Sequence, residues 1–161
     1  MRAHDDPSPR LEAVFRRIGA ERMRDLPFLN DRLAVEAVGF RAWQQSWPGV
    51  LITPWGINLL QLPTLDAPFP PVRADALVDV ALPGGVVPFM PAHEDELGDY
   101  RMCSLYSPAQ QFADQEAARL TAQHVMELLF SPAQNQNAQP DPGRRRFLRF
   151  GARSASDSNP G

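Results

Sequence analysis

A chain of 161 residues with 43% hydrophobic content and a formal net charge of −3 fits one globular domain, and that charge argues against a general nucleic-acid binder. Its one cysteine, Cys103, excludes an intramolecular disulfide and a four-cysteine metal site. No run approaches the roughly 18 apolar residues of a membrane span, and Met1 to Arg10 lacks the apolar run of a signal peptide, so a cytoplasmic protein without membrane insertion is expected.

The 17 prolines limit helix length and leave two windows free for helices. The first runs from Pro9 to Arg24. Leu11, Val14, Phe15 and Ile18 repeat at i, i+3, i+4 and i+7, one apolar face. Ser8 is the expected N-cap and Pro9 suits the first helical position. Strands follow. Val35 and Ala37, then Phe40 and Ala42, alternate in two registers that change at Gly39, the pattern of a bulge. Val50–Thr53 and Ile57–Leu62 are short apolar runs broken by Pro54, Trp55 and Gly56. Ala76–Leu82 alternates, Gly84 and Gly85 suit a hairpin turn, and Val86–Met90 and Tyr100–Tyr106 complete the set. The second helix spans Phe112 to Phe130. Ala113, Ala117, Leu120, His124 and Leu128 form one stripe, with Ala118, Ala122, Val125 and Leu129 beside it. So wide an apolar face predicts deep burial. Residues 133–143 read as a polar linker, Arg144 to Gly151 as a basic and apolar patch, and the rest as a disordered end. The expected fold is α+β: a central antiparallel sheet of about five strands with N- and C-terminal helices packed on it. Residues 1–132 form the domain and 133–161 a linker and basic tail.

Little in the chain points to catalysis. His4, His93 and His124 do not pair at ligand spacing, so neither metal nor cofactor is expected. Cys103 has no adjacent base to make it a thiolate, and a small buried strand residue is the plainer reading. Glu94, Asp95 and Glu96 read as a solvated loop. Trp43, Trp47 and Trp55 fall close together. Trp47 and Trp55 stand at turns, where core and binding roles are both open.

Several blocks are more specific. They are Pro27-Phe28-Leu29-Asn30; Val35 to Arg41 with Trp43; Gly49 to Trp55 with Asn58 and Leu59; Cys103 to Pro108; and Phe112-Ala113-Asp114-Gln115. In this order they resemble the HybE-type [NiFe]-hydrogenase assembly chaperone family, which includes the hydrogenase expression proteins HupJ and HoxT. The resemblance covers about Leu11 to Gly151. It implies a non-enzymatic chaperone that binds or guards a hydrogenase subunit precursor before export. The implied client is the small subunit with its twin-arginine signal, and the large subunit is a second candidate. Some members of the family are fused to a rubredoxin or work beside one, so a rubredoxin-like maturation protein is a further expected partner. The chain departs from the family at Gly56 and Ile57, where an aromatic and a methionine are usual, and at Ala109, where methionine is usual.

The expected partner-binding residues are Trp47, Pro54, Trp55, Asn58 and Leu59, with Arg144, Arg145, Phe147 and Leu148 of the tail. The tail reads Arg-Arg-x-Phe-Leu-Arg, close to the twin-arginine motif, but it is C-terminal and no apolar run follows it. Two readings compete with the chaperone: a thiol redox protein or sensor built on Cys103, and an adaptor bridging hydrogenase to a rubredoxin-like partner.

Overall fold

A computed structural model describes residues 6–132. The elements in chain order are α1 (Ser8–Ile18), β1 (Glu36–Val38), β2 (Ser46–Thr53), β3 (Gly56–Pro63), β4 (Val78–Leu82), β5 (Gly85–Glu94), β6 (Gly98–Tyr106) and α2 (Gln115–Phe130). The strands form one sheet in the order β1-β2-β3-β6-β5-β4, and every ladder is antiparallel. The α+β expectation holds, with six strands.

The two helices cover opposite faces. Leu11, Val14, Phe15 and Ile18 of α1 pack with Leu51, Leu60 and Leu62 on one side. Ala118, Ala122, Val125, Met126 and Leu129 of α2 pack with Val50, Ile52, Ile57 and Leu59 on the other. Neighbouring strand residues point to opposite faces. A strand buried on both faces therefore reads as an unbroken apolar run, as Val50–Ile52 and Ile57–Leu60 do. Each large side chain so buried contributes about 1.5–3 kcal/mol.

Three local expectations change. Ser8 is the first residue of α1, not its cap. Pro7 stands at the N-cap with no side-chain cap bond, and Asp6 Oδ1 just before it accepts from the Ser8 backbone N–H at 2.8 Å and its hydroxyl at 2.7 Å. The helix then widens into a π-helical turn over Gly19–Met23. Gly39, with φ of +73°, ends β1 as a turn residue rather than a bulge, and Phe40 to Ala42 form no strand. Phe40 instead lies over Gly49, where an added Cβ would meet its ring at 2.2 Å. Finally, β2 begins four residues before the expected Val50 and runs through Pro48. The Pro48 carbonyl accepts from the Arg41 N–H at 3.2 Å. Its nitrogen faces the same way, past the end of β1, where a missing N–H removes no ladder bond.

The second helix starts at Gln115, with Asp114 Oδ1 accepting from the Ala117 N–H at 2.8 Å as its cap. Arg119 Nε and Nη2 donate to Glu36 Oε2 and Oε1 at 2.8 and 3.0 Å, and Gln115 Nε2 donates to Oε1 at 2.8 Å. This clamp ties α2 to β1. The Arg119 hydrogen bond leads in holding the Glu36 carboxyl below its usual range, with Gln115 adding to it. A depressed carboxyl stabilises the fold above its unfolded pKa, and that contribution fades as pH falls through the folded value. The expected deep burial of both α2 stripes is not found. Ala118, Ala122, Val125 and Leu129 are buried, but Leu120 is 55% exposed and His124 is exposed. The helix lies across β1 and β2, so the Leu120–His124–Leu128 stripe overhangs the rest of the sheet.

Along β5 the partner changes: Gly85–Phe89 pair with β4, and Met90–Glu94 pair with β6. The β4–β5 hairpin turns at Pro83–Gly84 rather than at the expected Gly84 and Gly85, since Gly85 already pairs with Leu82. The Gly84 N–H donates to the Leu129 carbonyl at 2.7 Å, and a Cβ there would stand 2.1 Å from the Leu128 carbonyl oxygen. Backbone cannot swing aside as a side-chain tip can. Gly84→Ala should therefore cost about 1–3 kcal/mol, read as a lower urea midpoint with an unchanged m-value. A variant as stable as the parent would show that the hairpin does not press on α2.

Candidate partner-binding surface

Blocks far apart in sequence meet at one end of the sheet. The β2–β3 turn lies there, with the loop around Asn30 and the chain leaving β6. Asn30, 4% exposed, is the joint. Its backbone N–H donates to the Pro54 carbonyl at 2.8 Å. Its Nδ2 donates to the carbonyls of Ala109 and Phe112 at 2.8 and 3.0 Å, and its Oδ1 accepts from the Arg32 N–H at 3.0 Å. Only a carboxamide supplies two donors and an acceptor at one site.

Other contacts stiffen the same end. Thr53 is buried; its Oγ accepts from the Gly56 N–H at 3.0 Å and donates to the Gly56 carbonyl at 2.7 Å. The Trp55 ring lies against the π-turn, where a Cβ on Gly19 would come within 3.0 Å of it. Gln110 Nε2 donates to the Phe28 carbonyl, and Tyr106 meets Phe112 edge to face at 5.0 Å. The outer surface is apolar with polar edges. Phe28 is 38% exposed, Pro27 and Pro108 are exposed, and Pro54 and Trp55 are half-buried. Asp25 and Asp31 flank Phe28 in exposed positions, and neither forms an ion pair among the described residues.

Asn30→Leu keeps the volume but leaves two buried carbonyls without donors, at about 1–3 kcal/mol each. Chemical denaturation should show a loss of about 2–6 kcal/mol. A variant within about 0.5 kcal/mol of the parent, the range of ordinary surface changes, would refute the joint.

The expected site residues do not form one patch. Pro54 and Trp55 belong to this surface. Asn58 is half-buried in β3, opposite Leu51 and Ser104. Leu59 is 1% exposed and faces α2. Trp47 lies near the other end of β2, about 20 Å along the strand from the turn that carries Trp55. It packs on the α1 side, and its buried Nε1 has no hydrogen-bond partner among the described residues. Arg144, Arg145, Phe147 and Leu148 lie outside the described residues. Sequence reading did not single out Asn30, Asp25 or Asp31. An asparagine closing an apolar block was the available signal for Asn30.

A groove of about 620 Å³ runs between α2 and the sheet. Leu59, Cys103 and Leu105 form its floor, Val87 one wall, and Leu120 and Leu128 the other. It reaches Tyr106, which carries it to the surface just described. Burial pushes the Cys103 thiol up to about 11, so the thiolate fraction at neutral pH is on the order of 10⁻⁴. This weighs against the thiol redox reading. The rate of Cys103 alkylation should climb with pH to a midpoint near 11; a midpoint at or below the ordinary thiol value of about 8.5 would restore a reactive thiol. Elsewhere, His93 Nδ1 lies 2.8 Å from Asp99 and its Nε2 3.3 Å from Asp95 at the β5–β6 turn. Hydrogen bonds to Asp99 first, then Asp95, raise its pKa. No group of three His, Cys, Asp or Glu among the described residues could hold a metal, and no helix among them is long and apolar enough to cross a membrane. What this end of the molecule offers chemically is exposed apolar side chains with two exposed carboxylates close to Phe28 in sequence.

Comparison with known proteins identifies the family. A family model described as "[NiFe]-hydrogenase assembly, chaperone, HybE" matches residues 6–150. The hydrogenase expression/formation protein HupJ of Bradyrhizobium diazoefficiens is 37% identical, over 89% of this chain and 92% of that protein. A probable rubredoxin HupJ of Rhodobacter capsulatus is 38% identical, over 74% of this chain but 43% of its own length. The solution structure of HybE from Escherichia coli superposes with a TM-score of 0.63 at 26% identity, covering 87% of this chain and 86% of that one. The chain belongs to the HybE family of [NiFe]-hydrogenase assembly chaperones.

Proposed function

We propose that this chaperone holds a hydrogenase small-subunit precursor by its twin-arginine signal, in the cytoplasm, until assembly is complete. The observation that carries this reading is the surface joined by Asn30: apolar Phe28, Pro54 and Trp55, with Asp25 and Asp31 beside them. A signal of paired arginines followed by apolar residues is complementary to it in both charge and polarity. Holding a precursor needs no catalytic group. It needs a desolvated aromatic centre with a polar rim that releases on cue. The large subunit is the second candidate client. A rubredoxin-like protein is a further proposed partner, which the name of the Rhodobacter capsulatus relative supports, and with it an adaptor role beside the chaperone one.

Calorimetry against the small-subunit precursor, with and without its signal, tests the proposal. Trp55→Ala should weaken the complex by about 2 kcal/mol. Asp25→Asn with Asp31→Asn should weaken it by up to about 1 kcal/mol per charge, less at high salt. Removing the signal should abolish most binding. Trp47→Ala should leave binding unchanged, since that ring lies at the far end of β2. A folded Trp55→Ala protein that binds normally, or a precursor that binds equally well without its signal, would refute the reading.

A further inference from the structure

The Leu120 and Leu128 side of α2 is left partly uncovered among the described residues. Leu120 is 55% exposed and Leu128 half-buried, and both overhang the groove of about 620 Å³. That size is within the range of cavities that enclose a ligand, and the floor is apolar throughout. Few polar groups reach the rim: Thr121 and His124, with Glu127 4.0 Å from His124. Such a groove selects apolar side chains over a polar metabolite.

The chain beyond Pro132 supplies a matching segment. Residues 133–161 contain three large apolar side chains, Phe147, Leu148 and Phe150, and all lie within Arg144–Phe150. The family match ends with this same segment, at residue 150. Four arginines are interleaved there, opposite in charge to Glu127 beside the rim. The reach also fits. Eleven residues, 133–143, precede Arg144. An unstructured chain of that length would span about 18 Å on average, and about 36 Å when stretched. The path back from Pro132 to Leu120 is about 18 Å along the helix. Effective concentration is greatest when a linker's mean span matches the distance, and is then on the order of millimolar.

We infer that Arg144–Phe150 folds back along α2 and seats Phe147 and Leu148 in the groove above Cys103. The arginines stay at the rim, toward Glu127 and solvent. The occupant is this chain's own tail. Because the groove extends to Tyr106 at the partner-binding surface, a bound tail also stands where an arginine-bearing apolar signal would arrive, and the two compete. The competition rests on the proposed function; the docking does not.

The test uses the full-length protein and its Phe147→Ser/Leu148→Ser double variant, with matching thermal melts as the folding control. The alkylation rate of Cys103 and the methyl resonances of Leu120 and Leu128 report on the groove. A tail held with a dissociation constant near 1 mM fills about half the sites, so losing it should raise the alkylation rate about twofold or more. The methyl resonances should shift, and a free peptide of residues 143–151 at millimolar concentration should reverse both changes. Leu120→Ser, at an exposed position, should raise the rate in the parent and add nothing in the double variant. Equal rates and unmoved methyl groups in parent and double variant would overturn the docking. So would changes that track a dimer-to-monomer shift in sedimentation, because a second copy would then be the cover. Docking seen by both readouts, with precursor affinity the same in parent and double variant, would overturn the competition and leave the docking standing.

Discussion

A single buried carboxamide holds one end of the sheet together. Asn30 bonds to the β2–β3 turn through its backbone and to the chain after β6 through its side chain. Those two segments are more than fifty residues apart in sequence. Without that bridge, each carbonyl it satisfies would be a buried acceptor with no donor. The positions of Phe28, Pro54 and Trp55 follow from it, and so does the floor on which α2 begins. Nearly everything else about the surface is a consequence of which strands the turn connects.

The rest of the architecture follows from the sheet's two-sided burial. With α1 on one face and α2 on the other, the central strands have no polar side. The helices do not match each other, however. The α1 face is closed by Trp55 and Trp47 among others. On the opposite face α2 sits over β1 and β2, while β5 leaves β6 to pair with β4. The displaced helix and the splayed strand together open the groove. A sheet that stayed paired along all of β5 under a centred helix would have closed it.

Much of this was legible in the chain. The α1 stripe, the apolar strand runs and the glycine hairpin before β5 all carry periodic or turn signals. The failures have particular causes. Pro48 hid the start of β2, because a proline is tolerated in a strand only where its missing N–H faces no partner, and that depends on where β1 ends. The turn before β2 uses Gln44 and Gln45 at φ of 48° and 59°, a geometry normally marked by Asn or Gly, so no local signal existed. The α2 stripes are equally apolar in sequence, and only the helix's lateral position decides which is buried. The candidate site was half legible for the same reason. Pro54 and Trp55 were readable as turn residues, whereas Leu59 and Trp47, close to them in sequence, are sent to another face and another end of the strand.

On the proposed function, the client is held at the end of the sheet where Asn30 joins its neighbours. Backbone hydrogen exchange of the full-length protein, alone and saturated with a hydrogenase small-subunit precursor, measures that directly. The account predicts new protection concentrated at residues 25–31, 53–56 and 106–110. Protection confined to the Trp47 end of β2, or to the β5–β6 hairpin, would contradict it.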